Sequence, residues 1–403
     1  MIGTHAPRPV AVAPPALHPV LLGVALVLLA VNLRTTVGSL PPLLTHIERD
    51  LRISGAVAGL LTALPVVCMA WAAPAAHRVA HRYGREATAL ASVVLVAVGN
   101  GLRLEGMHAP ALFGGTLLAG LGIAACGVVL PGIVKEFFPG RAGAASSAYT
   151  VAMMLGAGAA GALAVPLEDL LGSWTASLAA WALPAAMAAA VWVPVTARLN
   201  EHESEEESHP GRLPLRSTAA WLLAIYMSAQ ASLAYAYMGW LSPAYESHGW
   251  SAGRAGVLFG MFNLVQFVTA AALPAVADRF ADRRPVIVFA VTLTSVGAVW
   301  LWAFPEVLPW VAVCVAALGI GGGFALGLVL IVDYAAGPSA SGRLAAMVFL
   351  VCYTAAAVTP VVVGALRDAT GGFGLPFGLL TLLAVAQLAL ATRLRPEHRG
   401  TVA

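Results

Sequence analysis

The sequence predicts an all-α membrane protein of twelve transmembrane helices in two six-helix parallel repeats. Three observations lead there. Of 403 residues, 60% are hydrophobic and only 10% charged, where a soluble domain carries roughly 25% charged residues. Apolar runs of about 18 to 25 residues, long enough to span a bilayer, recur between short polar breaks. Sliding the sequence on itself by 197 residues also brings its two halves into register.

In chain order, residues 1–16 form a Pro-rich tail without the charged-then-apolar layout of a cleavable signal. Six spans are expected near 17–40, 54–76, 87–106, 110–134, 142–165 and 174–195, making an N-terminal bundle over 17–197. The stretch "RLNEHESEEESHPGRLPLRS", 198–217, reads as a solvated linker; its glutamates and histidines also raise a metal-binding alternative. Six further spans are expected near 218–240, 252–276, 285–304, 308–332, 343–366 and 373–392. They make a second bundle over 218–393, followed by a tail, 394–403.

An even number of spans puts both termini on one side. Of the 22 basic residues, Arg49, Arg52, Arg103, Arg254 and Arg367 fall on the opposite side, Arg34 lies within a span, and the rest share the side of the termini. The positive-inside rule then places both termini in the cytoplasm. Arginine and alanine are abundant and Lys135 is the only lysine, a bias of GC-rich bacterial genomes; a bacterial inner membrane is expected.

Several function classes fall away. A net charge of +3 is too small for a nucleic-acid partner. Cys68, Cys126, Cys314 and Cys352 sit in apolar runs without metal-ligand spacing, so neither metal nor cofactor is expected. The glycine runs 120–132 and 318–327 lack the Lys-Ser/Thr ending of a phosphate loop and suit close helix packing. No Asp, Glu or His falls mid-span, which leaves an intramembrane hydrolase without its groups and the chain without an enzyme reading.

The repeat is specific. "SGAVAG" at 54–59 falls on "SAGRAG" at 251–256, "VAHRYGRE" at 79–86 on "VADRFADR" at 276–283, and Glu136 on Asp333. Two parallel six-helix halves describe a rocking transporter with its binding site between them near the midplane.

Arg34 is the conspicuous residue of that midplane. Burying arginine there costs ~3 kcal/mol on insertion scales, and no acid is near it in sequence. The repeat places Ala231 opposite it and Ala229 opposite Asn32, so the second half has no such charge. With no mid-span carboxylate to neutralise it, its planar fork of donors suits an anionic substrate. A tether to carbonyls of a broken helix, or to the amide of Asn32, is the structural alternative. Tyr226, Gln230 and Tyr237 share one face of the seventh span. With Asn32 in the first span, Asn263 and Gln266 in the eighth, Tyr149 in the fifth and Tyr353 in the eleventh, they are candidates either for orienting substrate or for bonding helices together.

The loop "HRVAHRYGRE", 77–86, and its copy "PAVADRFADR", 274–283, resemble the paired loop signature of the major facilitator superfamily. His77 stands for a glycine and His81 for an aspartate, while Arg82, Gly84 and Arg85 fit; the copy keeps Asp278 and Arg279. The first-span "NLR", then "VGSLPPLL" and "AGLLTALPVVCMAWAAPAAHRVAHRYGRE", resemble the cyanate porter and 2-nitroimidazole transporter family within it. The resemblance covers nearly the whole chain. It implies the major facilitator fold, a monomer acting by alternating access on a small polar or anionic substrate, and a cytoplasmic charge gate. In that gate Arg82 and Arg85 would pair with Glu136, and Asp278 with Arg343; His81 would weaken the first half of the brace and could make it respond to pH. An efflux pump for small organic toxicants, with an aromatic cavity around Trp71, Phe262, Phe324 and Tyr353 and a structural Arg34, is the alternative function. A sensor that binds without transport also stays open.

Overall fold

The computed structural model describes residues 19–138, 142–199 and 213–402. The expected tail 1–16 and linker residues 200–212, with Arg8, Arg141 and Arg212, lie outside the described residues. The first half comprises α1 (Pro19–Gly38), α2 (Leu44–Leu51), α3 (Gly55–Trp71), α4 (Ala73–Tyr83), α5 (Arg85–Leu102), α6 (Ala109–Phe137), α7 (Ala142–Leu171), α8 (Trp174–Ala180) and α9 (Ala182–Leu199). The second comprises α10 (Thr218–Ser247), α11 (Ala252–Ala277), α12 (Arg284–Ala303), α13 (Pro309–Tyr334), α14 (Pro338–Thr370) and α15 (Gly374–Ala391). Among the described residues, eleven helices are long and apolar enough to cross a membrane, twelve if the bent pair α3–α4 is one span. That bend is 60°, at the point where Pro74 has no N–H to continue the ladder.

These sequences form helices because their residues are apolar all round, as lipid and a buried bundle both require, and because serines start them. Ser54 Oγ accepts the Val57 N–H and Ser251 Oγ the Arg254 N–H, so the 54/251 match in the repeat is a shared N-cap of the second span in each half. Ser173 and Ser217 cap α8 and α10 in the same way.

Two expected spans are not single helices. The first continues past its expected end as a Leu22–Leu51 unit, broken after Gly38 where Pro41 and Pro42 cannot donate, and resumed as α2. The sixth is interrupted at Trp181 between α8 and α9.

We call the side where α1 starts and α15 ends the near side, and the other the far side. The halves join chiefly through α3 against α14 and α7 against α11, and the closest approaches lie toward the far side. A Cβ on Gly364 would strike the Gly55 carbonyl, and one on Gly59 the Pro360 carbonyl. Those glycines let backbone meet backbone, the usual device of close helix pairs in lipid. The larger apolar core crosses between halves here, bringing Leu40, Leu44, Ile47 and Leu61 together with Tyr237, Trp240, Leu258 and Phe259. A smaller one, including Leu29, Val93, Ile133 and Trp192, belongs to the first half alone.

Candidate functional site

Arg34 lies close to the middle of the Leu22–Leu51 span. It is half-buried between wholly buried neighbours Leu33, Thr35 and Thr36, on the side of α1 that faces the second half. Its guanidinium neighbours the Tyr235 and Tyr353 hydroxyls. Both tyrosines belong to the second half, on α10 and α14. Tyr235 meets Tyr353 edge-on, ring centroids 6.4 Å apart, and Tyr353 stacks on Phe349 at 5.7 Å. Among the described residues, no carboxylate pairs with Arg34.

The other expected contacts are placed differently. Asn32 is 1% exposed and its amide donates to the carbonyls of Leu28 (2.7 Å) and Pro184 (3.1 Å), tying α1 to α9. The Tyr226–Gln230–Tyr237 face turns into the core of the second half. Tyr226 donates to the Gly323 carbonyl at 2.9 Å and Gln230 to that of Ile320 at 2.6 Å, Gln387 donates to Gln230, and Tyr237 lies edge-on to Phe262 and Phe377. Asn263 and Gln266 bond carbonyls one turn back, of Phe259 and Phe262. Tyr149 packs on the smaller core of the first half. Of the expected substrate contacts, the structure brings only Tyr353 to Arg34 and adds Tyr235. The aromatic cavity of the efflux alternative is dispersed: Phe262 is fully buried and Trp71 is 63% exposed.

Tyr235 was missed because it lies off the polar stripe of its helix. The repeat held the clue: Ala231 is the position equivalent to Arg34, and Tyr235 is one turn beyond it on the same face.

A second arginine performs the helix-tethering job. Arg103, 1% exposed, follows α5 and donates to the Thr36 carbonyl at 3.2 Å, in the last turn of α1 just before its break. A basic donor at a helix C-terminus satisfies a free carbonyl and complements the helix dipole. Its Nε has no hydrogen-bond partner among the described residues. Arg103→Ala is expected to destabilise the protein by about 2–4 kcal/mol, from the cavity and the freed carbonyl. A thermal-unfolding midpoint within error of the parent contradicts that role.

The far mouth is closed by α2, whose polar side chains alternate between halves. His46 Nδ1 contacts both oxygens of Glu168 at 2.9 Å and Asp50 accepts from the Trp174 indole at 2.8 Å, both in the first half. Toward the second half, Glu48 takes Arg367 Nη1 on both oxygens at 2.7 Å, and Thr45 faces Glu246. Arg367 also lies over the rings of Trp240 and Phe373, and Asp368 accepts the Ala56 N–H at 3.2 Å.

On the near side, ion pairs among the described residues stay within one half. Arg85 reaches Glu136 at 3.5 Å; Arg82 lies over the Tyr83 ring instead, and His81 is exposed. Asp278 pairs with Arg283 at 3.0 Å, not with Arg343, which bonds Ser339 one turn back on its own helix at 2.8 Å. Arg283 also holds Asp333 at 3.0 Å; Asp333 is the repeat counterpart of Glu136, whereas Arg283 itself falls on Glu86 and not on Arg85. Arg284, 2.6 Å from Asp282, holds that carboxyl below the usual carboxylate range. Asp333 further takes Arg399 at 3.3 Å, on a terminal segment that folds back so that Val402 bridges to Ala335. Asp333→Asn is expected to release this segment, read as faster amide hydrogen exchange at Gly400 and Val402; unchanged protection contradicts it.

Comparison with known proteins follows the same lines. The family model described as Major Facilitator Superfamily matches residues 20–246 and 222–402. The cyanate transport protein CynX of Escherichia coli (strain K12) is 31% identical over 373 residues, 92% of this chain and 96% of that protein. The 2-nitroimidazole transporter of the same organism is 30% identical over 375 residues, 92% and 93% respectively. Among solved structures, the inward open conformation of the xylose transporter XylE from E. coli superposes with TM-score 0.73 at 10% identity, covering 93% of this chain and 95% of that one.

Proposed function

Because the chain belongs to the Major Facilitator Superfamily and is a multi-pass membrane transporter, not an enzyme, we propose that it carries a small anion or nitro-type solute by alternating access, with Arg34 as the substrate's anchoring charge. The observation that supports this is the setting of Arg34: a permanent charge at mid-span, facing the second half, met by phenols and by no carboxylate among the described residues. An intramembrane ionisable residue is a mark of a substrate pathway, and its missing counter-charge is supplied by an anion. The relatives named for cyanate and 2-nitroimidazole fit that chemistry. Arg103 takes the tethering role that would otherwise account for a buried arginine.

In this reading the termini face the cytoplasm, in keeping with the arginine distribution, the far side is periplasmic, and α2 with Arg367 forms the closed outer gate. Binding bridges Arg34 to the facing α10 and α14, and release of the Glu48–Arg367 clasp opens the opposite path. Among the described residues no carboxylate stands near Arg34 to relay a proton, so any coupled proton travels with the anion or through water. The test is uptake of radiolabelled cyanate and of 2-nitroimidazole into proteoliposomes. Saturable flux of at least one, competed by other small anions, is expected. Ligand binding with no flux above empty liposomes contradicts transport and favours a sensor.

A further inference from the structure

Tyr235 presents an unusual pairing of contacts, both crossing from the second half to the first. Its oxygen is the acceptor facing Arg34, while its O–H points to the Met69 sulfur on α3 at 3.8 Å. A thioether is a weak acceptor, so this hydroxyl is the donor in the site that is least committed. The Tyr353 hydroxyl, also beside Arg34, has no hydrogen-bond partner among the described residues, and its ring is fixed by the Phe349 stack and the Tyr235 edge.

We propose that Tyr235 is a substrate-binding donor held in reserve by Arg34 and Met69, and that an oxyanion or nitro group entering the site displaces it from the guanidinium and receives its hydroxyl proton in a hydrogen bond. This rests on the reading of Arg34 as the anchor. A neutral phenol oxygen is a poorer partner for a guanidinium than a charged or strongly polarised oxygen, because charge-assisted bonds are the stronger. The exchange therefore runs toward the ligand. Once Arg34 turns to the ligand, Tyr235 gains a better acceptor than sulfur by rotating its O–H alone, with no movement of the ring.

The substrate class follows from the donor set. A planar fork from one half and two phenol O–H groups from the other converge on one space. Among the described residues, no carboxylate is there to hold a cation. That arrangement fits a compact group with at least two acceptor atoms, such as carboxylate, nitro or cyanate, and disfavours amines. The ligand would also bridge Arg34 to Tyr235 across the halves, which couples occupancy to the contact between them.

The test titrates the full-length purified protein with cyanate, 2-nitroimidazole, nitrate and formate, using wild type, Arg34→Gln, Tyr235→Phe and Met69→Leu. For each probe that binds the wild type, Tyr235→Phe is expected to weaken affinity about tenfold or more, the loss of one hydrogen bond to a charged acceptor. Met69→Leu is expected to keep or improve it, since only the resting partner is lost. Infrared spectra of ring-deuterated tyrosine are expected to show one C–O band shifting on ligand addition, absent in Tyr235→Phe. If Arg34→Gln loses binding while Tyr235→Phe binds as tightly as wild type, the inference about Tyr235 is overturned and the anchor stands. If Arg34→Gln binds like wild type, the anchor itself fails. Failure of all four probes to bind wild type overturns the oxyanion class.

Discussion

Arg34→Gln is expected to cut transport of a small anion by about 100-fold or more, since removing one member of a desolvated charge pair costs about 2–5 kcal/mol. Arg34→Lys keeps the charge but loses the planar fork, and should retain roughly a tenth of the wild-type rate, one 1.4 kcal/mol step. Neither change should harm the fold. The arginine has no carboxylate partner among the described residues to strand, and its own burial costs ~3 kcal/mol on insertion scales. Unliganded Arg34→Gln should therefore melt at or above the wild-type temperature. A structural arginine predicts the opposite pattern: a lowered melting point with transport reduced only in proportion to the folded fraction. Proteoliposome kinetics beside thermal unfolding separate the two.

The second large effect concerns the far-side clasp. Glu48 and Arg367 form a two-oxygen contact at 2.7 Å, with side chains 12% and 26% exposed, across the joint between halves. Breaking a partly buried bridge of this kind should move the conformational equilibrium by about 1–3 kcal/mol, or 5- to 150-fold in population, toward the far-side-open state. Glu48→Gln and Arg367→Gln should each raise labelling of a cysteine placed at Thr62, which faces Gly239 across the joint, by a membrane-impermeant maleimide added from the far side. The double variant should show little more than either single one, because one bond is lost in each. His46–Glu168 and Asp50–Trp174 lie within the first half; His46→Gln should have a much smaller effect, because α2 stays covalently joined to that half through α1.

Much of this architecture is readable from composition and repetition. Hydropathy marks the spans because lipid accepts little but apolar helices, and the 197-residue register marks the halves because each reuses the same serine cap and the same near-side acid, Glu136 or Asp333, held by an arginine. Arg34 stands out for a similar reason: a charge in such a setting is costly and demands a purpose. What stays hidden is which way a polar face points. The stripe Tyr226–Gln230–Tyr237 has the period of a single face whether that face meets a cavity or another helix, and here it meets α13 and α15. Arg103 follows the end of a span and looks like a loop residue, because only the fold shows the broken α1 lying over it. The helix "LTHIERDL" escapes hydropathy through its charges. They are the groups that fasten the far mouth, and their partners, Glu168, Trp174 and Arg367, are more than a hundred residues away.

The most direct measurement is thermal unfolding of purified wild-type and Arg34→Gln protein across a panel of small anions and nitro compounds, since a ligand that binds the native state raises its apparent stability by mass action. An anchoring Arg34 predicts that at least one anion stabilises the wild type and leaves Arg34→Gln unmoved. Equal stabilisation of both forms, by anions or by neutral compounds, would contradict it.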